Sequence, residues 1–313
     1  MTVNGSGLPP IIFLDLDGTL LASGAVLRRR TVAAVQAVAA AGAIIVLATG
    51  GFGARTRLIA RALDQGQPDH VWCISHNGAA IWDPAWLLVH CLPTPPGAVA
   101  AVLAVAGRRI WTTFETAGPD GQTHAYYAGR LRPELAHLIW GPQPGDVDAA
   151  AADGIHTGLE PRWDWRRARR AHQEPETAVL GCWCVGTPQA LAPLDNQAPN
   201  QVLHGARYLA WGKRLAQIVG RPRLQLDGRD VGALEASKGA AAEWLCRHLG
   251  LPLAQAAAFG DSDNDLDLLE RAGTAVAMAN ATADARARAG LTAPSNDEDG
   301  VAAILERWLA GGA

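Results

Sequence analysis

Lysine is almost missing from this chain. Of its 27 basic residues only Lys213 and Lys238 are lysines, and arginine supplies the rest. A lysine in such a background is a poor candidate for surface filler. Excess positive charge is missing too. The 30 acidic residues leave a formal net charge of −3, which gives no general drive toward nucleic acid or anionic membranes. No long unbroken apolar run occurs. The longest, residues 32–48, contains Gln36 and Gly42 and changes period midway, so it reads as helix, turn and strand and not as a membrane span. The first ten residues show neither a basic stretch nor an apolar one, so no signal peptide and a cytoplasmic location are expected. Framework cysteines are absent as well. The five cysteines are Cys73, Cys91, Cys182, Cys184 and Cys246, an odd number without disulfide spacing, which predicts reduced thiols. Cys182 and Cys184 have no second pair to complete a zinc site. Strand alternation puts both thiols on one face, as small buried residues. There is no internal repeat, and the 34 glycines and 19 prolines are scattered as turn residues.

What is present is length and alternation. At 313 residues the chain is long for one core, so two domains are expected. In the first third, strands at 11–14, 43–48 and 71–75 alternate with helices at 32–41 and 54–64. Thr31 is the predicted N-cap of the first helix and Gly42 its end. The pattern returns near 235. Ser237 caps a helix from Lys238 to Leu249, Gly250 ends it, and a strand at 256–259 follows. A helix at 264–272, a strand at 274–279 and a helix at 300–310 complete the chain. Continuous apolar strands between helices predict a parallel sheet covered on both faces. From 85 to 234 the character changes. Aromatic-rich strand segments (110–114, 124–127, 180–185, 223–226) lie between Pro- and Gly-rich turns, with a long excursion at 141–178, predicting an inserted α+β domain. The expected division is therefore 1–84 with 235–313 as one α/β domain and 85–234 as the insertion.

The most informative decade is Ile-Ile-Phe-Leu-Asp15-Leu-Asp17-Gly-Thr-Leu, residues 11–20. Two carboxylates at i and i+2 leave the same face of the strand end. Carboxylates that close repel, and a divalent cation with oxygen preference, Mg²⁺ above all, relieves the repulsion. Taken alone the motif has a second reading, a strand end closed by a polar turn. The surroundings weigh against it. Ligands of parallel sheets sit beyond the carboxyl ends of the strands, and Asp15, Asp17, Thr49 and Asn77 all follow such ends. Lys238 opens a helix, and the acidic loop Gly260-Asp261-Ser-Asp-Asn264-Asp265 follows a further strand.

This order of motifs resembles the haloacid dehalogenase superfamily. The resemblance covers the first 84 and the last 80 or so residues. The insertion after the second motif and before the lysine is similar to that of the Cof-type, subclass IIB sugar-phosphatase-like members. The resemblance implies a Rossmann-like core with an inserted α+β cap. It also implies a Mg²⁺-dependent phosphatase acting on a small phosphorylated metabolite, sugar or polyol phosphate by default. Asp15 is then the nucleophile forming an aspartyl-phosphate, and Asp17 the general acid and base. Thr49, the Gly50 amide and Lys238 hold the phosphoryl oxygens. Asp15 and Asp261 are carboxylate ligands, Asp17 a ligand through its carbonyl, and Asp265 a ligand directly or through water. Asn77, Asn264 and Asn280 lie on the substrate side. An aspartate at position 17 favours phosphate esters over the superfamily's other reactions, because a leaving oxygen needs a proton. A phosphomutase with the same nucleophile and a catalytically silent phosphometabolite-binding protein are the alternatives.

One departure stands out. Relatives often read Thr-Gly-Arg at the second motif, whereas here Thr49-Gly50 is followed by Gly51, and Arg55 is the nearest arginine. The arginine run Arg166 to Arg170 reads as a solvated helix face, with recognition of nucleic acid or of a second substrate anion as the sharper readings. Trp111, Tyr126, Tyr127 and Trp183 read as core at strand spacing, with stacking on a sugar ring as the alternative.

Overall fold

The computed structural model describes residues 8–64, 70–105, 110–118, 123–128, 177–210 and 226–312. Five strands come from the first third: β1 (Ile11–Leu14), β2 (Ile44–Ala48), β3 (Val71–Ser75), β4 (Ala80–Trp82) and β5 (Leu88–Cys91). The middle contributes β6 (Ile110–Ala117), β7 (Thr123–Ala128), β8 (Ala178–Gly186), β9 (Val202–Leu203), β10 (Ala206–Ala210) and β11 (Asp227–Ala233). The last third adds β12 (Ala257–Gly260), β13 (Thr274–Met278) and β14 (Leu291–Ala293).

These strands make two sheets. The first has the order β14-β13-β12-β1-β2-β3-β4-β5. It is parallel from β14 to β3, and β4 turns back antiparallel on β3. Strand β1 lies inside it, and Ile11, Ile12, Phe13 and Leu14 are fully buried. That is what a four-residue apolar strand achieves only when both faces are covered. The second sheet is antiparallel, in the order β7-β6-β8-β11-β10-β9. Contacts group the described residues into two units. One takes those up to Val89 and from Ser237 onward, the other those from His90 to Ala236. The chain is thus α/β, with a parallel core sheet and a separate antiparallel region. No described helix is long and apolar enough to cross a membrane.

The two units have separate cores. In the second, Ile110, Phe114, Cys182, Cys184 and Val231 pack with Val99, Val102 and Leu191 of the helices Pro96–Val105 and Pro188–Asp195. All five cysteines are free. Burial pushes the Cys184 thiol up to about 12, so it behaves as a small hydrophobe. Trp111 and Trp183 fall on the opposite face of this sheet from Ile110, Phe114 and Cys182, and neither belongs to that apolar cluster. The side chains of Tyr126 and Tyr127 lie outside the described residues.

Three boundaries differ from the sequence reading. The first helix runs Arg29–Ala40, and Thr31 is a buried residue inside it, not its cap. The Arg28 carbonyl already accepts from the Val32 amide at 3.0 Å, and the arginines that follow are good helix formers. Of the expected strand at 223–226, residues 223–225 lie outside the described residues and Leu226 directly precedes the strand Asp227–Ala233, which the sequence reading did not include. Strands β4 and β5 extend the sheet past β3 where no strand was expected. Three residues of β4 are too few to show a period.

After β3 the chain turns through His76, Asn77 and Gly78 with φ of 52°, 55° and 101°. Gly78 lies against the residue before Lys238, and a Cβ there would stand 2.1 Å from the Ser237 carbonyl oxygen. The turn and the start of the Lys238 helix are therefore built against each other. Gly78→Ala is expected to destabilise the protein by about 3 kcal/mol through strain and overlap, read as a lower urea midpoint. An unchanged midpoint contradicts this packing.

Candidate active site

Asp15 extends β1 by one residue, its amide bonding the Phe259 carbonyl of β12 at 3.2 Å. Lys238 is the first residue of the helix Lys238–Leu249. Ser237 caps that helix, its hydroxyl accepting from the Ala240 amide at 3.1 Å. The Lys238 side chain is fully buried. Its ammonium donates to Asp15 Oδ1 and to Asp265 Oδ1, both at 2.6 Å. Burial pulls the ammonium pKa down, but attraction to the two carboxylates outweighs it, and the net shift is upward. Lys238 is a fixed cation.

Asp265 is held from both sides. Its Oδ2 accepts from the amides of Asp261 and Ser262 at 3.0 and 2.9 Å, and Ser262 completes a capping box with it. The expected helix after β12 accordingly begins as a tight turn, Asp263–Asp265, and runs on as Leu266–Arg271. Asp267 locks the same loop to the Lys238 helix, accepting from the Gly239 amide at 2.9 Å.

Oxygens of Asp15, Asp261 and Asp265 all lie within 4.8 Å of one another, and all three residues are buried. Asp15 Oδ2 is buried without a hydrogen-bond partner. Burial, then Asp265 and Asp261, raise the Asp15 carboxyl well above its ordinary value, and Lys238 offsets only part of this. Three carboxylates facing one ammonium, with one acceptor unused, are a donor set that suits a hard divalent cation. Gly18 closes the approach. Its φ is 88°, and a Cβ would stand 2.5 Å from Asp261 Oδ2, so the loop after β1 passes directly over that carboxylate.

Asp17 is placed differently. Its carboxylate is gripped by Arg55, with Nη1 to Oδ2 at 2.5 Å and Nη2 to Oδ1 at 2.6 Å. Thr49 follows β2. Its hydroxyl accepts from the Gly51 amide at 3.0 Å, and its carbonyl from the Asn77 amide at 3.1 Å. Gly50 lies against the Asn77 carboxamide. Asn264 donates to Asn77 Oδ1 at 2.9 Å and accepts from the Ser262 hydroxyl at 2.6 Å. Asn280 is tied to the loop itself. It donates to the Gly18 carbonyl at 2.8 Å and accepts from the Asn296 amide at 3.0 Å. Arg166 to Arg170 lie outside the described residues.

Three contributors escaped the sequence reading. The Ser262-x-x-Asp265 spacing carried a readable capping signal. The Asp267 contact with Gly239 and the grip of Arg55 on Asp17 carried none, because each depends on how a helix is set against the sheet.

A family model described as haloacid dehalogenase-like hydrolase matches residues 12–109 and 225–305. No curated protein matches the chain significantly. Among solved structures, a haloacid dehalogenase-like hydrolase from B. subtilis is 22% identical with a TM-score of 0.68, covering 95% of this chain and 99% of its own. One from Bacteroides thetaiotaomicron is 20% identical with a TM-score of 0.70, covering 96% and 99%. A subclass IIB sugar phosphatase of the HAD superfamily is 21% identical with a TM-score of 0.65, covering 95% and 98%. At such identities the likeness carries the fold.

The raised Asp15 pKa has a stability consequence. A carboxyl whose folded pKa lies above its ordinary 3.8 costs stability once ionised. That cost appears as pH rises through the folded pKa and vanishes as pH falls toward the ordinary value. In the presence of a chelator, Asp15→Asn is expected to melt higher than the parent at neutral pH, with the gap closing on acidification. Differential scanning fluorimetry across pH reads this, and a variant that melts lower at neutral pH contradicts it.

Proposed function

Because the chain belongs to the haloacid dehalogenase-like hydrolases, we propose that it is a Mg²⁺-dependent phosphoric monoester hydrolase. It acts on a small phosphorylated metabolite, a sugar or polyol phosphate, through an aspartyl-phosphate on Asp15. The observation that carries the reading is the state of Asp15. One oxygen is fixed by a buried ammonium, and the other is buried and unbonded. An attacking carboxylate needs that arrangement: held in orientation, with a lone pair to spare.

The donor set around Asp15 fits Mg²⁺, with Asp15 and Asp261 as carboxylate ligands, the Asp17 carbonyl as a third and Asp265 directly or through water. Bound there, the ion would screen the phosphate dianion from the carboxylates. The remaining work falls to the chain. Asp15 Oδ2 attacks phosphorus. Asp17 delivers a proton to the leaving oxygen, then takes one from the water that hydrolyses the acyl phosphate. Lys238 holds Asp15 in line and offers fixed positive charge where phosphoryl charge gathers. Thr49 and the Gly50 amide supply further donors. Asn77 and Asn264 form a linked pair that faces the transferred group, and Asn280 secures the loop carrying Gly18. In the same reading residues 85–234 are the cap that selects the substrate.

A panel of sugar phosphates, polyol phosphates, nucleotides and p-nitrophenyl phosphate tests this by phosphate release. Turnover with Mg²⁺ is expected, lost on chelation and reduced at least about a thousandfold in Asp15→Asn, as when other enzymes lose their nucleophile. Absence of phosphate release from every phosphoester, or full activity in Asp15→Asn, overturns the reading.

A further inference from the structure

Arg55 grips Asp17 with both ends of its guanidinium fork. Arg55 is buried to 1% exposure, while its partner's side chain is 37% exposed. Arg55 Nε is buried with no hydrogen-bond partner. Burial disfavours the guanidinium, and the attraction of Asp17, with a smaller part from Asp15, outweighs it, so the two stay together as an ion pair. An apolar side chain in the first turn of the helix Gly53–Asp64 would fill the same space at lower cost.

What the arrangement does provide is orientation. A guanidinium fork bound to both oxygens fixes the plane of a carboxylate, which a single donor does not. The fork passes beside position 51, which carries no side chain. A Cβ on Gly51 would stand 3.6 Å from Arg55 Nη1 and 3.3 Å from Thr49 Oγ1. The glycine that breaks the familiar second motif is thus the residue beside which the guanidinium lies.

We propose that Arg55 is the positioning residue of this site: its buried fork sets the carboxylate plane of Asp17 for proton transfer to the leaving oxygen. The inference rests on the phosphatase reading above and adds to it a residue one helical turn beyond the motif. In this role Arg55 acts through Asp17.

The role predicts a leaving-group signature. Nitrophenolate departs without help, whereas a sugar or polyol alkoxide needs a proton. A loosened Asp17 therefore harms the second more than the first. Because kcat/KM reports the steps through departure of the leaving group, it is the quantity to compare. The experiment measures kcat/KM of parent and Arg55→Met with Mg²⁺, on p-nitrophenyl phosphate and on the best alkyl phosphate of the panel. The ratio of alkyl to aryl kcat/KM is expected to fall at least about tenfold in the variant, a fraction of the usual value of a general acid. Equal losses on both substrates mark a structural role and overturn the inference, as does an unchanged or higher alkyl rate. A parent silent on every substrate overturns the phosphatase reading and this inference with it. An active parent whose ratio does not move in the variant overturns the inference alone. If Arg55→Met does not fold, Arg55→Lys, which keeps the charge and loses the fork, is read by the same ratio.

Discussion

A single buried ammonium organises this site. Lys238 stands between Asp15 and Asp265 at 2.6 Å from each, and Asp261 lies within reach of the same cluster. One positive charge against three carboxylates leaves the group short of neutrality in a place that water does not reach. The deficit is visible in the Asp15 carboxyl, whose pKa is driven upward by burial and by its acidic neighbours. A protein keeps such a cluster only where something else completes it. In the proposed reading, a cation bound by the carboxylates completes the cluster, and the orphaned Asp15 oxygen is the one left for phosphorus.

The fold delivers these groups by convergence. β1 and β12 are parallel neighbours, so Asp15 and Asp261 leave adjacent strand ends. The Lys238 helix begins against the Asn77–Gly78 turn, and Asp267 fastens its first turn to the acidic loop. Gly18 lets the loop after β1 cross Asp261 at a distance no side chain tolerates. Each contact is local and small. Together they leave the ammonium no other place to point.

The sequence exposed much of this because strand periodicity and capping are local signals. The run before Asp15, the Ser237 cap and the Gly250 stop are written in adjacent residues, and the structure carries all three. The parallel sheet followed from apolar strands alternating with helices. Lys238 stood out through the scarcity of its residue type. What stayed hidden depends on distance in space. Thr31 looked like a cap and is buried inside its helix, because the preceding arginines carry the helix back toward Arg28. The bonds of Asn280 to the Gly18 carbonyl and the Asn296 amide join residues far apart in the chain and have no local signal. Arg55 reads as an arginine able to reach back from the next helical turn, but its partner Asp17 follows only from how its helix is set against the sheet. The middle third is the least legible part, since aromatic strands read alike whether they pack a core or face a ligand.

The central claim is that Asp15, oriented by Lys238, receives the phosphoryl group. Borohydride reduction of enzyme quenched during turnover converts an aspartyl-phosphate into homoserine, and peptide mass spectrometry then locates it. The account predicts homoserine at position 15 with Mg²⁺ and substrate, and none when the metal is chelated. Steady turnover with position 15 unmodified, or with the modification on another aspartate, would contradict it.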